Sequence, residues 1–267
     1  MKDIPHISKK IEHEKMYIYP LSDLHFGERA FDKSKFKGYL QIIKDNPYAY
    51  CIFNGDLINV GLPGGVGGED FWEQKPLTAQ DQLESLTAMV DEYDIRHKIL
   101  AIIGGSNHPA RAKKAIGHDY DRQFAKDLGL LDVFMQPTGM LFLGVGHYNE
   151  RGRHKSSPVW YSVFITHGWA GGRLAGGCMN ATRELGAIYG ADCLITSHRH
   201  LDAGTKDEFY LPDYHNKSIT KIKRLYVSSG TFLGYAPYAQ KKGMRPNGTG
   251  TPRIRFDGTR KDVHVSI

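Results

Sequence analysis

Five apolar stretches of this chain each run straight into a residue that can bind a metal ion, and no other feature constrains the fold as tightly. The run from Met16 to Ser22 ends in S-D-L-H-F-G, with Asp23 and His25. Ala49 to Asn54 leads to G-D, with Asp56. H-K-I-L-A-I-I-G-G leads to S-N-H, with Asn107 and His108, V-W-Y-S-V-F-I-T to His167-Gly168, and A-D-C-L-I-T-S to H-R-H, with His198 and His200. Short apolar runs bounded by Gly and polar residues read as buried strands. Helical spacing over Phe31 to Asp45, Thr78 to Asp94, Asp119 to Leu128 and about Thr182 to Tyr189 separates them. This is the rhythm of an α/β fold, in which ligands gather outside the carboxyl ends of the strands.

In extended backbone, residues two apart share a face, so Asp23 and His25 are expected to point the same way, as are His198 and His200. A carboxylate and an imidazole on one face make half of a metal site. The C-terminal third, with K-I-K-R-L-Y-V-S-S-G and R-I-R-F-D-G-T-R-K-D-V-H-V-S-I, has strand composition, and Asp257-Gly258 reads as a hairpin turn. Neither an internal repeat nor a linker breaks the 267 residues, so one domain spanning 1–267 is expected.

Composition narrows the rest. At 40% hydrophobic and 24% charged the chain can bury a substantial core. No apolar run reaches the roughly 18 residues of a membrane span, and the start lacks a signal-peptide core. A soluble, cytoplasmic protein without a membrane partner is the expectation. Cys51, Cys178 and Cys193 are too scattered for a disulfide framework or a thiolate zinc site and read as buried thiols. The formal charge of +6 favours an anionic partner.

The ordered set D-x-H, G-D, N-H, H-G and H-x-H resembles the signature of the calcineurin-like metallophosphoesterases, from about Tyr17 to about Asp202. The resemblance implies a four-layer sandwich of two β-sheets flanked by helices, with two divalent metals at the strand ends. It implies that Asp23, His25 and His200 bind one metal, that Asp56 bridges both, and that Asn107, His167 and His198 complete the second. Imidazole offers one lone pair and serves a single ion, whereas a carboxylate has two oxygens and can bridge. A nitrogen and oxygen ligand set without thiolate suits Mn²⁺, Fe or Zn²⁺. Two metals about 3.5 to 4 Å apart acidify a shared water, so that a bridging hydroxide attacks phosphorus in line. His108 is then the catalytic residue that protonates the leaving oxygen. The chain departs from the family pattern at Ser106, where Gly is usual, at Pro109, where an acid is usual, and at Ser197, which replaces the usual Gly before the first His of H-x-H.

The substrate is less sharply marked. Arg111, Lys113 and Lys114 follow His108 closely, Arg151, Arg153 and Lys155 lie in a polar segment from Gly146 to Pro158, and Arg173 follows the His167 motif. As substrate-binding residues they would track a phosphate backbone. As a solvated surface they would do nothing specific. Tyr235, Tyr238, Lys241, Lys242 and Arg245 could stack and pair with a single strand, or pack onto the core. Gly61 to Pro76, with Phe71 and Trp72, lacks the P-loop pattern and reads as a rim or lid. The chain also resembles the small stand-alone family members of bacteria and their phages, some of which are similar to the DNA-repair exonuclease branch. The leading expectation is a phosphodiesterase or nuclease acting on nucleic acid, DNA first. The alternatives are a phosphatase or phosphodiesterase for a small molecule such as a nucleotide, and a scaffold that keeps the fold without turnover.

Overall fold

A computed structural model describes residues 4–60, 78–147, 157–169, 174–235, 237–241, 243 and 246–267. In chain order the elements are β1 (His6–Ile11), β2 (Lys15–Leu21), α1 (Lys33–Asp45), β3 (Ala49–Asn54), α2 (Ala79–Glu92), β4 (Ile99–Ile103), α3 (Asn107–Ile116), α4 (Tyr120–Asp127), β5 (Phe134–Met135) and β6 (Thr138–Val145). There follow β7 (Val159–Thr166), α5 (Ala175–Ile188), β8 (Cys193–Thr196), β9 (Asp202–Asp213), β10 (Ser218–Ser229), α6 (Pro237–Lys241), β11 (Arg253–Asp257) and β12 (Val263–Ser266).

Two six-stranded sheets result. One has the order β1-β6-β7-β8-β10-β9, the other β12-β11-β2-β3-β4-β5. The strands that precede the motif residues are parallel within each sheet, β2 with β3 and β3 with β4, and β7 with β8. Their carboxyl ends therefore open on the same side of their sheet.

Alternation along each strand explains the four layers. In β3, Ala49, Cys51 and Phe53 face the helices, packing with Phe36 and Leu40 of α1, Leu83, Leu86 and Val90 of α2 and Phe124 of α4. Ile52 faces the other sheet, where Ile18, Leu100, Ile103, Val163, Ile165, Ile195 and Val227 meet. Phe164, Leu194 and Tyr226 point outward under α5, against Met179 and Leu185. Strands buried on both faces have no polar face to show, which is why they read as continuous apolar runs. The helix–sheet–sheet–helix sandwich expected from the resemblance is the fold found.

Helix starts follow local chemistry. Thr78 and Asp81 form a capping box on α2. Asp32 caps α1 and Asp119 caps α4, each accepting a backbone N–H three residues on. Cys51, Cys178 and Cys193 are buried free thiols. No helix among the described residues is long and apolar enough to cross a membrane.

Two expectations need correction, and two strands had none. Asp257-Gly258 is not a two-residue hairpin. Strand β12 starts only at Val263, because the Asp257 carboxylate gathers the N–H groups of Thr259 and Arg260 into a wider loop. Helix α5 begins at Ala175, seven residues before the expected start near Thr182, because Cys178 and Met179 already bury against the sheet. Strands β1 and β9, both at sheet edges and mostly polar, carried no apolar run to announce them.

Candidate metal centre

Strand β2 stops at Leu21, and Asp23 and His25 are not in extended backbone as expected. Both have left-handed φ values, 49° and 47°. Asp56 (48°), His198 (73°) and His200 (55°) do the same. An L-residue pays roughly 1 to 2 kcal/mol for that conformation, so five cases at five motif positions mark a site the rest of the fold holds in place.

The holding contacts are specific. Asp23 N–H donates to the Gly55 carbonyl (3.2 Å) and His25 N–H to the Asp56 carbonyl (3.0 Å), fastening the loop after β2 to the loop after β3. The loops after β3 and β4 clasp each other, since Asp56 N–H donates to Ser106 Oγ (2.8 Å) while His108 N–H donates to Asp56 Oδ1 (3.1 Å). Ser106 thus contributes a hydroxyl that glycine would lack. His198 N–H donates to Asp23 Oδ2 (3.0 Å), joining the second sheet to the first. Gly55, at φ 78°, has no room for a side chain: a Cβ would lie 2.5 Å from His167 Nδ1.

These loops bring the donor atoms together. Asp23, Asp56, His167 and His198 form one group that could hold an ion, and Asp23, His25 and His200 a second. His25 Nε2 lies 3.1 Å from His200 Nε2, which is 3.2 Å from Asp23 Oδ1. His167 Nε2 lies 3.3 Å from Asp56 Oδ2. The tautomer of His167 is set from behind: its Nδ1 donates to the Asn54 carbonyl (2.7 Å), leaving Nε2 toward the carboxylates, the arrangement usual for a metal-binding histidine.

Electrostatics describe a site short of positive charge. Burial works against the charge on His167, yet the Asp56 and Asp23 carboxylates push it up to about 9. Burial also opposes ionisation of Asp56 and Asp23, and the charge of His167 holds both below the usual carboxylate range. His25 goes the other way, driven well down by burial and by its neighbours His108 and His200. Asn107 Oδ1 and His198 Nδ1 are buried with no hydrogen-bond partner among the described residues. Orphaned acceptors, opposed imidazole nitrogens and buried carboxylates are together what divalent cations satisfy, so the residues fit two such ions.

His108 sits inside this cluster. Its ring meets that of His25 edge-on at 4.5 Å between centroids, and it forms a third ligating group with His25 and Asp56. Its Nδ1 donates to the Asn59 carbonyl (2.7 Å), so a backbone group orients the ring. Of the substrate candidates, Arg111, Lys113 and Lys114 lie on α3, whose first turn carries Asn107 and His108. Lys113 is paired with Asp119 at 2.7 Å. Arg151, Arg153, Lys155 and Arg173 fall outside the described residues, as do Phe71, Trp72, Lys242, Arg245 and the side chain of Tyr238.

Sequence reasoning missed the residues that support the cluster. Asn54 ties the sheets through Nδ2 to the Thr166 carbonyl (3.0 Å) and Ser197 Oγ (2.5 Å), and Ser197 continues to Ser229 and Ser22. Asn247 Nδ2 donates to the His200 carbonyl (2.8 Å). The only available signal was a polar residue, Asn54 or Ser197, immediately before a motif.

No protein-family model and no curated protein matches the chain. Among solved structures it is similar to vacuolar protein sorting 29 from Cryptosporidium parvum, at 12% identity and a TM-score of 0.39, covering 94% of this chain and 96% of that one. It is similar to Vps29 complexed with zinc from Entamoeba histolytica, at 11% identity and 0.37, covering 94% and 97%. A predicted phosphoesterase from Streptococcus pneumoniae is at 9% identity and 0.30, covering 94% and 88%. Likenesses this distant carry no residue-by-residue correspondence, and the site stands on its own geometry.

Proposed function

We propose that this chain is a dimetal-dependent phosphoesterase, and more narrowly a phosphodiesterase acting on nucleic acid, with DNA the first substrate to test. The observation that carries the reading is the pair of ligating groups that share Asp23, one of them including Asp56, built from four strand-end loops of two sheets. In this reading Asp23, His25 and His200 hold one ion, Asn107, His167 and His198 the other, and Asp56 stands between them. Bound Mn²⁺, Fe or Zn²⁺ supplies Lewis acidity for the phosphoryl oxygens and an acidified water as nucleophile.

The chain's own residues do the rest. With Nδ1–H given to the Asn59 carbonyl, His108 has Nε2 to carry a proton to the leaving oxygen. Burial lowers its basicity, which makes the protonated ring a better donor, while the Asp56 carboxylate opposes that shift. Arg111 and Lys114 lie on the helix that begins with Asn107 and His108 and would supply cations to flanking phosphates. The near-complete burial of Asp23 and Asp56 keeps competing water from their oxygens.

A second reading, hydrolysis of a small phosphate ester such as a nucleotide, is favoured by a cavity of about 260 Å³ that shares His167 with the centre. A panel of single-stranded DNA, duplex DNA, RNA, a mononucleotide and an aryl phosphodiester, each with added Mn²⁺ and with chelator, tests both. Metal-dependent cleavage that becomes more efficient with oligonucleotide length supports the nuclease reading. Turnover of the mononucleotide alone replaces it with the second, and inertness of every ester with metal bound overturns both.

A further inference from the structure

The cavity beside the metal centre has walls of unusual composition. His167 lines it from the metal side, and two residues on, past Gly168 at φ 91°, the Trp169 side chain is 48% exposed at its edge. Tyr189, partly exposed, is backed by the buried Phe164, on which it stacks at 3.8 Å with the planes 14° apart, and Leu185 and Pro137 close the remainder. Thr138 and Thr166 add hydroxyl-bearing side chains to the lining.

We propose that this cavity is a nucleobase subsite, taking the base of the nucleoside esterified to the phosphate held at the metal centre. The proposal rests on the phosphoesterase reading and names its substrate class. Three features select a base. Trp169 and Tyr189 offer partly exposed aromatic rings, which suit a flat π-system better than an alkyl chain. The threonines give a polar edge a way to hydrogen-bond. At about 260 Å³ the space is large enough for one ring system. His167, shared by cavity and cluster, puts the base next to the phosphate. Stacking on an indole does not discriminate strongly among bases, so the subsite would require a base without reading sequence.

Two measurements test this. In the metal-free protein, thymidine should quench tryptophan fluorescence saturably, and Trp169→Leu should abolish the quench while Trp72 and Trp160 remain as background. With Mn²⁺, thymidine 5′-(p-nitrophenyl) phosphate and ethyl p-nitrophenyl phosphate share a leaving group and differ only in the base-bearing side. Their kcat/KM ratio should fall roughly tenfold in Trp169→Leu, through KM, and recover largely in Trp169→Phe. An unchanged ratio with no thymidine quench overturns the subsite and leaves the phosphoesterase reading intact. If both esters are inert with metal bound, the phosphoesterase reading fails, while the quench still judges the subsite.

Discussion

Asp121, at the start of α4, is 2% exposed and accepts one hydrogen bond, from Gly105 N–H at 2.9 Å, directly beneath the loop that carries Ser106, Asn107 and His108. Burial pushes its carboxyl up to about 7 from an ordinary 3.8; the Gly105 N–H opposes the shift, and the negative charges of Asp56 and Asp119 add to it. A folded value above the unfolded one means the folded state keeps a proton the unfolded chain has already released. Stability from this group is therefore complete below pH 3.8, falls by about 1.4 kcal/mol per pH unit up to pH 7, and is level above, a total of roughly 4 kcal/mol. Asp121→Asn preserves an acceptor for Gly105 N–H and cannot ionise. Urea unfolding of the metal-free protein, wild type against variant, should show a stability difference that grows in the variant's favour between about pH 4 and pH 7 and then flattens. Any fixed cost of the amide shifts the whole difference without changing its slope. A difference that stays constant over that range would refute the reasoning.

Asp56→Asn should remove the negative charge expected between the two ions, and metal analysis with turnover should show loss of bound metal and of hydrolysis together; two retained metals with wild-type turnover would overturn the role. His108→Ala should keep most of the metal and slow esters with poor leaving groups by about 10²- to 10⁴-fold, whereas His167→Ala should deplete metal; equal metal loss in the two variants contradicts that division. Ser106→Gly should cost roughly 1 to 3 kcal/mol in thermal or urea unfolding, since the buried Asp56 N–H loses its acceptor. Replacing Arg111 and Lys114 with Ala should flatten the salt dependence of oligonucleotide binding by about one unit for each phosphate left without its cation, and an unchanged slope removes them from the interface.

The apolar runs of β2, β3, β4, β7 and β8 were legible in the sequence because a strand buried on both faces must be apolar throughout. That Asp23, His25, Asp56, His167, His198 and His200 would come together was legible as well, since parallel strands aim their carboxyl ends at a common place and polar residues there stand out against the runs. Edge strands β1 and β9 were not, because one-sided or solvent-facing pairing leaves no apolar signature. Nor could the sequence show that Asp23 and His25 share a site through left-handed backbone; that conformation is costly alone and is held by hydrogen bonds to Gly55 and Asp56, on the loop after the next strand. The same holds for Ser106, whose hydroxyl has meaning only once Asp56 N–H is beside it, and for Asn59, whose carbonyl orients His108. Residue type and the strand period decide which groups are offered to the site, because burial is a property of a segment. Which lone pair meets which proton was decided only in the tertiary structure, because a hydrogen bond joins two atoms whose separation in space the chain's order does not encode.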